Sequence, residues 1–341
     1  MEIRSNISLM SYSTMGLGGN AKYLVELHDK SQIPKIVSWA NEQQLPIMTI
    51  GIGSNIVWSD NGFNGLIIVN KLLKYEIYEE DEINSYITVG AGENWDDTVE
   101  KTVQAGLSGI EALSLVPGTA GATPIQNVGA YGQEISQTLA SLEAFDTQTN
   151  AIVNIAANDC GFGYRTSRFK TVDKNRFIIT SITLHLMKTK PLPPFYSSLQ
   201  NYLDANGITE YTPITIRNAV IAIRVSKLPD PIAIKNCGSF FANPIINDDK
   251  FREIEDRYPV VPHWVTDDKN VKLSAAWLIE QAGFKDKHDS ETGMATWPQQ
   301  ALVLINESAK TTADLLAFKQ KIIYAVQDTF NITLEQEPEL V

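Results

Sequence analysis

The opening third of the chain switches between a two-residue and a helical rhythm of hydrophobic positions. "AKYLVEL", Ala21 to Leu27, reads as a strand. "SQIPKIVSWANEQQ" puts Ile33, Val37 and Ala40 on one helical face, with Ser31 as the expected cap. "IMTIG" and "GLIIVN" are short apolar runs that read as buried strands. Strand and helix signals thus alternate up to about residue 71, which predicts a small α/β unit. From residue 72 the pattern turns strand-rich. "SYITVGAG" reads as a strand. "ENWDDTVEKTVQAG" reads as a helix with acids in its first turn and Gly106 at its end, an arrangement that suits the helix dipole. "SLEAFDTQTNAIVNI" predicts a hairpin that turns over Thr147 to Asn150, and "RFIITSITLHLMK" a long strand. The prolines of "KPLPPFYSSLQNYL" predict a loop that then starts a helix. A second break, "KLPDPIAIKN", reads as a linker in which Pro229 and Pro231 end the preceding element. Beyond it, "LSAAWLIEQAG" predicts a helix capped by Ser274, and "QALVLIN" a buried strand. In "TTADLLAFKQKIIYAVQDTF", Leu315, Phe318, Ile322, Val326 and Phe330 form one apolar stripe at helical spacing. "NITLEQEPELV" begins as an alternating strand and ends polar.

At 341 residues the chain exceeds what one hydrophobic core usually serves, so two or three domains are expected. A net charge of −12 disfavours nucleic acid as a partner, and an anionic small substrate would need a local cluster of Arg and Lys. No apolar run approaches about 18 residues, and the first residues lack the apolar core of a secretory signal. The expectation is a cytoplasmic protein without a membrane span. The two cysteines, Cys160 and Cys237, have no CxxC neighbour, so neither a metal site nor a disulfide framework is expected. Cys237 reads as a packing residue.

Four segments carry candidate chemistry. "GIGSN", Gly51 to Asn55, is either a tight turn or a loop whose bare backbone approaches a phosphate. "LVPGTAGATPIQNVGAYG", Leu115 to Gly132, has many small residues and few charges. It is either a buried irregular connection or a cofactor cradle. "GFGYRTSRFK" crowds Tyr164, Arg165, Arg168 and Lys170 together, as a solvated face or as a clamp for a carboxylate or phosphate. In "NCGSFFANP" Ser239 has no nucleophile-elbow context and no histidine close by in sequence. From the residues alone it is a turn or cap residue.

"TMGLGGNA", "GIGSN", "PGTAGATPIQNVGAYG", "FGYRTSRFK", "KLPDP", "CGSFFANP", "AAWLIEQAG", "QALVLIN" and "EPE" follow one another in this order along essentially the whole chain. Together they resemble the UDP-N-acetylenolpyruvoylglucosamine reductase family, in its longer form with a tyrosine-bearing loop. The resemblance implies an α+β protein with a vanillyl-alcohol-oxidase-type FAD-binding fold. Two α+β subdomains, 1–71 and 72–228, would hold FAD non-covalently. A third, α/β domain, 229–329, would bind the UDP-sugar. The tyrosine loop would span about 190–205, and a strand within 330–341 would return to the first subdomain. NADPH would be co-substrate, and the protein a bacterial cytoplasmic monomer without nucleic acid, membrane or metal partners.

Carried over motif by motif, the resemblance assigns FAD to Gly51, Gly53, Ser54 and Asn55, and to Pro117, Gly118, Gly121, Ala122, Ile125, Gln126 and Asn127. It makes Arg165, Ser239 and Glu339 the catalytic residues. It assigns the UDP-sugar to Tyr164, Tyr196, Arg224, Lys227, Asn243 and Gln299, with Gln300 as the alternative to Gln299. It also gives Gly238 the task of letting the backbone approach flavin and substrate, and Phe240 and Phe241 that of anchoring the loop in the core. The chain ends at Val341, two residues past Glu339, where longer-form members of the family continue as a strand.

The chemistry implied is hydride addition to a vinyl carbon, with negative charge spreading into the neighbouring carboxylate. A preorganised cation at Arg165 suits that charge. A weak acid at Ser239 suffices to protonate so basic a carbon. Glu339, facing an anionic carboxylate, is expected to act in its protonated form. The alternatives are another flavin oxidoreductase on the same scaffold, or a non-catalytic binder of a UDP-sugar or flavin.

Overall fold

The structure, a computed structural model, describes residues 2–266 and 269–341. The chain divides into two compact units. One comprises Met1–Ile7, Ala21–Ile52 and Asn64–Ser226, the other Ser8–Asn20, Gly53–Phe63 and Lys227–Val341.

The first unit holds two sheets. In one, strands Arg4–Ser8, Asn20–Leu27, Phe63–Asn70 and Ile47–Ile50 lie in that order, the last two parallel. The helix Ile33–Glu42 shares a core with this sheet, burying Ile33, Ile36, Val37 and Ala40 beside Val25, Leu27, Leu66 and Ile68. Ser31 is not its cap. The Asp29 carboxylate accepts from the Ser31 amide at 2.9 Å and opens a short 3-10 turn, Lys30–Gln32, that leads into the helix. A carboxylate is the stronger acceptor for an orphan N–H, so it takes the capping position two residues earlier.

The other sheet is antiparallel, in the order Ala151–Ala156, Leu139–Asp146, Phe177–Met187, Asn84–Gly90, Tyr75–Glu79. The expected hairpin is present, closing at the Asp146–Ala151 pair with Asn150 at φ 55°. The helix Trp95–Gln104 packs Trp95, Val99 and Val103 against Ile87, Leu142 and Ile182 of this sheet. Asn94 caps it by accepting from the Asp97 amide, and Asp96 and Asp97 occupy its positive end. Helices Ser197–Ala205 and Pro213–Lys227 form a smaller core of Leu199, Leu203, Ile216, Ala219, Val220 and Ile223.

In the second unit, strands Asn236–Ser239, Gln300–Asn306, Met294–Trp297 and His288–Asp289 form an antiparallel sheet in that order. The helix Thr312–Phe330 buries its whole predicted stripe, and Ser274 caps Ala275–Ile279 as expected. Met15, Leu17 and Val57 lie in this same core, with Phe240, Phe241 and Leu304. That burial is why 8–20 and 53–63, expected with the first 71 residues, join the second unit. The returning tail is short: Glu339–Leu340 pairs in parallel with Ile56–Val57. The segment before it alternates in burial but forms only one bridge, Phe241 to Gln336. Pro338 has no N–H to extend the ladder. Among the described residues no helix is long and apolar enough to cross a membrane, and no cluster of His, Cys, Asp or Glu has the makings of a metal site.

Candidate active site

Within the first unit, Gly51 lies against the second glycine-rich segment. Gly51 follows the strand Ile47–Ile50, and a Cβ there would overlap the Thr119 hydroxyl. Gly121 sits against Ala91, whose methyl a Cβ would strike, while Gly118 adopts φ 142°. The turn Ala120–Ala122 is tied back to the helix approach: the Ala120 amide donates to Glu93 O and the Gly121 amide to Ala91 O, both at 2.9 Å. Residues 115–127 include no charged side chain. Bare backbone without carboxylates is what a pyrophosphate requires, so the segment fits an FAD cradle.

Arg165 is laced to this cradle. Ser167 Oγ donates to Ile125 O at 2.7 Å, and Asn127 Nδ2 to Gly163 O at 3.2 Å. Lys170 Nζ reaches Gln126 Oε1 at 3.4 Å and Arg165 O at 3.3 Å. Arg165 itself stands at φ 53°, donates from Nη2 to Gly129 O at 2.9 Å, and lies over the Tyr164 ring at 5.5 Å. A non-glycine residue held in that conformation marks a position its surroundings over-determine. Arg168 does not join a clamp: its Nε donates to Asp173 at 2.6 Å. The Asn127 side chain serves the protein too, donating also to Glu134 and accepting from the Ser136 amide. Pro117, Ala122, Ile125 and Gln126 line the same stretch.

Tyr196 and Arg224 converge on a residue the sequence did not single out, Tyr131. Tyr131 and Gly132 occupy the turn between Gly129–Ala130 and Gln133–Glu134 at φ 49° and 86°. The Tyr131 ring meets Tyr196 edge-on at 6.2 Å. Burial raises the pKa of both phenols, although the Arg224 guanidinium beside Tyr131 pulls its value down. Burial lowers that of Arg224, whose Nη2 donates to Leu115 O at 3.2 Å and whose buried Nε has no hydrogen-bond partner. A Tyr-Gly pair in a two-residue hairpin was the available signal, since both turn positions need positive φ.

In the second unit a circuit of backbone hydrogen bonds joins three motifs. The Asn236 amide donates to Thr14 O at 3.1 Å, and the Thr14 amide to Gly53 O at 3.2 Å. The Glu339 amide donates to Asn55 O at 2.9 Å, and the Glu337 amide to Phe240 O at 3.0 Å. Gly53, Ser54, Asn55, Ser239 and Glu339 therefore share one main-chain framework. Glu339 is no loose end: the Val341 amide donates to Val57 O, and the Ser59 amide to Val341 O. Ser239 caps no described helix. It ends the edge strand Asn236–Ser239 at a register slip, half-buried, where Asn236 Oδ1 accepts from the Gly238 amide at 2.9 Å. Such a bulge re-aims the side chain that follows it. Phe240 and Phe241 are fully buried and anchor the segment.

Gly238 and Gly53 are glycines for different reasons. A Cβ on Gly238 would meet no atom within 4 Å, so only its φ of 75° demands glycine. A Cβ on Gly53 would overlap the Tyr12 carbonyl, and φ is 73° as well. Gly238→Ala is expected to cost about 1–2 kcal/mol in chemical denaturation. Gly53→Ala should cost clearly more. Equal costs would mean that strain alone, not space, governs both.

The remaining carried-over residues are spread out. Lys227 ends the helix Pro213–Lys227 and is exposed. Asn243 Oδ1 accepts from the Ala275 amide at 2.9 Å, so it supports that helix start. Gln299 is exposed in the turn between Met294–Trp297 and Gln300–Asn306, with Gln300 opening the second strand. Cys237 is buried, which pushes its thiol up to about 12. The native protein should therefore resist iodoacetamide at Cys237 near neutral pH, while the denatured chain reacts. Peptide mapping that finds Cys237 alkylated in folded protein would refute the packing role.

Residues 21–155 match the family model of an FAD binding domain, and residues 230–341 that of the UDP-N-acetylenolpyruvoylglucosamine reductase C-terminal domain. The UDP-N-acetylenolpyruvoylglucosamine reductase of Flavobacterium johnsoniae is 37% identical over 100% of this chain and 100% of its own length. That of Escherichia coli is 36% identical over 98% of this chain and 96% of its own. The crystal structure of UDP-N-acetylenolpyruvylglucosamine reductase from Thermus caldophilus superposes with a TM-score of 0.69 at 22% identity, covering 100% of this chain and 99% of that one. The folds are alike.

Proposed function

Because the chain belongs to the UDP-N-acetylenolpyruvoylglucosamine reductase family, we propose that Arg165, Ser239 and Glu339 carry its catalysis. The protein is an FAD-dependent oxidoreductase of peptidoglycan precursor synthesis, reducing UDP-N-acetylglucosamine enolpyruvate to UDP-N-acetylmuramate at the expense of NADPH. Bound FAD supplies the relay of hydride from NADPH to the vinyl carbon. The glycine-rich segments at Gly51–Asn55 and Pro117–Asn127 are the residues that would hold it.

The protein's own groups handle charge and protons. Arg165 stabilises the negative charge that grows on the substrate carboxylate, with a guanidinium already held by Gly129 O. Ser239 donates its hydroxyl proton to the carbon next to that carboxylate and recovers one from solvent. Glu339 is assigned to the same carboxylate as the third catalytic group. Tyr164, Tyr196, Arg224, Lys227, Asn243 and Gln299 are assigned to the UDP-sugar. The same reading makes the protein a monomer of the bacterial cytoplasm.

The observation that carries this reading is the circuit in the second unit, which builds Ser239 and Glu339 into one main-chain framework. The test is NADPH oxidation by the purified, yellow protein. It should require UDP-N-acetylglucosamine enolpyruvate. Oxidation indifferent to the UDP-sugar would indicate another flavin oxidoreductase, and a colourless protein that binds the UDP-sugar a non-catalytic binder.

A further inference from the structure

The helix Pro213–Lys227 carries a buried arginine that none of the chemistry above uses. Arg217 is 5% exposed and grips Asp96 with both arms of its fork: Nη1 donates to Oδ1 at 2.6 Å, Nη2 to Oδ2 at 3.1 Å. Nη1 also donates to Ser114 Oγ at 2.9 Å, and that hydroxyl donates to Glu111 O at 2.7 Å. The same Asp96 Oδ1 accepts from the Leu115 amide at 2.6 Å. The carbonyl of Leu115 in turn accepts from Arg224. Leu115 is thus clamped through both its amide N–H and its carbonyl, on either side of its Cα, and it stands at φ 55°. An aliphatic residue stays in that left-handed region only where its surroundings force it there. Two residues later the cradle begins, at Pro117 and Gly118.

We propose that Arg217, acting through Asp96 and Leu115, is a positioning residue for the FAD cradle: it holds Leu115 in the left-handed conformation that sets the direction in which Pro117–Asn127 runs. The inference rests on the assignment of that segment to FAD. Its physical content is geometric. A fork is needed, because one cation must orient both carboxylate oxygens and reach the Ser114 hydroxyl. A lysine keeps the charge but offers a single point. Burial pulls the Asp96 carboxyl upward, but the Arg217 guanidinium and the Leu115 amide together hold its pKa below the usual carboxylate range. Glycine at 115 would remove the need for the clamp, since glycine adopts positive φ without strain.

The test is titration of FAD-stripped protein with FAD, read by flavin fluorescence well below the melting temperature. Arg217→Lys is expected to bind FAD about 10- to 100-fold more weakly, the worth of one or two charge-assisted hydrogen bonds. Asp96→Asn should behave alike, and the double variant should be no worse than either. Arg217→Lys/Leu115→Gly should recover most of the loss, which a generally loosened fold would not do. Two results would overturn the proposal: Arg217→Lys within twofold of the parent, or no recovery with Leu115→Gly. If Arg217→Lys does not fold, Asp96→Asn with and without Leu115→Gly decides by the same criterion. A parent protein that binds no FAD would instead sink the cofactor assignment itself.

Discussion

Ser239→Ala is expected to separate the two halves of the catalytic cycle. Flavin reduction by NADPH should stay within about twofold of the parent, because no proton is delivered to a carbon in that half. Reoxidation by UDP-N-acetylglucosamine enolpyruvate should fall by about 10²–10⁴-fold, the usual contribution of a positioned general acid. Stopped-flow absorbance of the flavin reads both rates in one preparation. A collapsed site would not be the source of such a loss. The serine side chain is half-buried at the end of an edge strand, beside a bulge set by Gly238 and Asn236, and its backbone neighbours are fixed by Phe240 and Phe241. Removing one hydroxyl there leaves that framework standing. Equal slowing of both halves would make Ser239 a structural or binding residue. Ser239→Cys is the informative companion, since a thiol is a stronger acid of similar shape and should retain more of the second rate than alanine does.

Arg165→Ala should be the other severe change. Its guanidinium is held by the bond to Gly129 O and the contact with Tyr164, on a backbone at φ 53°. Preorganised cations aimed at developing charge are typically worth about 10²–10³ in rate. The expected signature is a lower limiting rate of flavin reoxidation, larger than any rise in the substrate's dissociation constant. Added guanidinium should restore part of the rate, and methylammonium should not, because the planar fork is what the carboxylate recognises. An unchanged limiting rate with weaker binding would show that Arg165 holds ground state and transition state equally.

Much of the fold and of the candidate site's backbone framework is legible in the sequence, and the parts that are not have physical reasons. Glycines announce backbone requirements, so "GIGSN" and "PGTAGATPIQN" stand out from composition alone. The long stripe of Leu315, Phe318, Ile322, Val326 and Phe330 has only one helical reading and is buried as such. The helix Pro213–Lys227 gives a poorer signal: most of its apolar residues are β-branched, which lose rotamer freedom in helices and favour strands. With it goes Arg217, whose partner Asp96 lies 121 residues away, a separation that periodicity cannot see. Ser31 and Asp29 compete for one cap, and side-chain chemistry decides it by two positions. The apolarity of Met15, Leu17 and Val57 says that they are buried, but not against what; their core is built from residues beyond 227.

That last arrangement has a consequence for a chain made from its N-terminus. The first unit is complete in sequence once Ser226 has been synthesised. The segment around Trp58 is not so served: its carbonyl accepts from Thr312 Oγ1, 254 residues later, and Val57 pairs with Leu340 later still. At roughly 5–20 residues per second, Trp58 spends on the order of 13–50 s before its partner exists. During that interval Met15, Leu17 and Val57 have no core of their own, whereas the half of the protein that carries Arg165 can already be folding. The framework that holds Ser239 and Glu339 thus closes last, and its assembly, rather than that of the larger unit, is the step most exposed to interruption while the protein is being made.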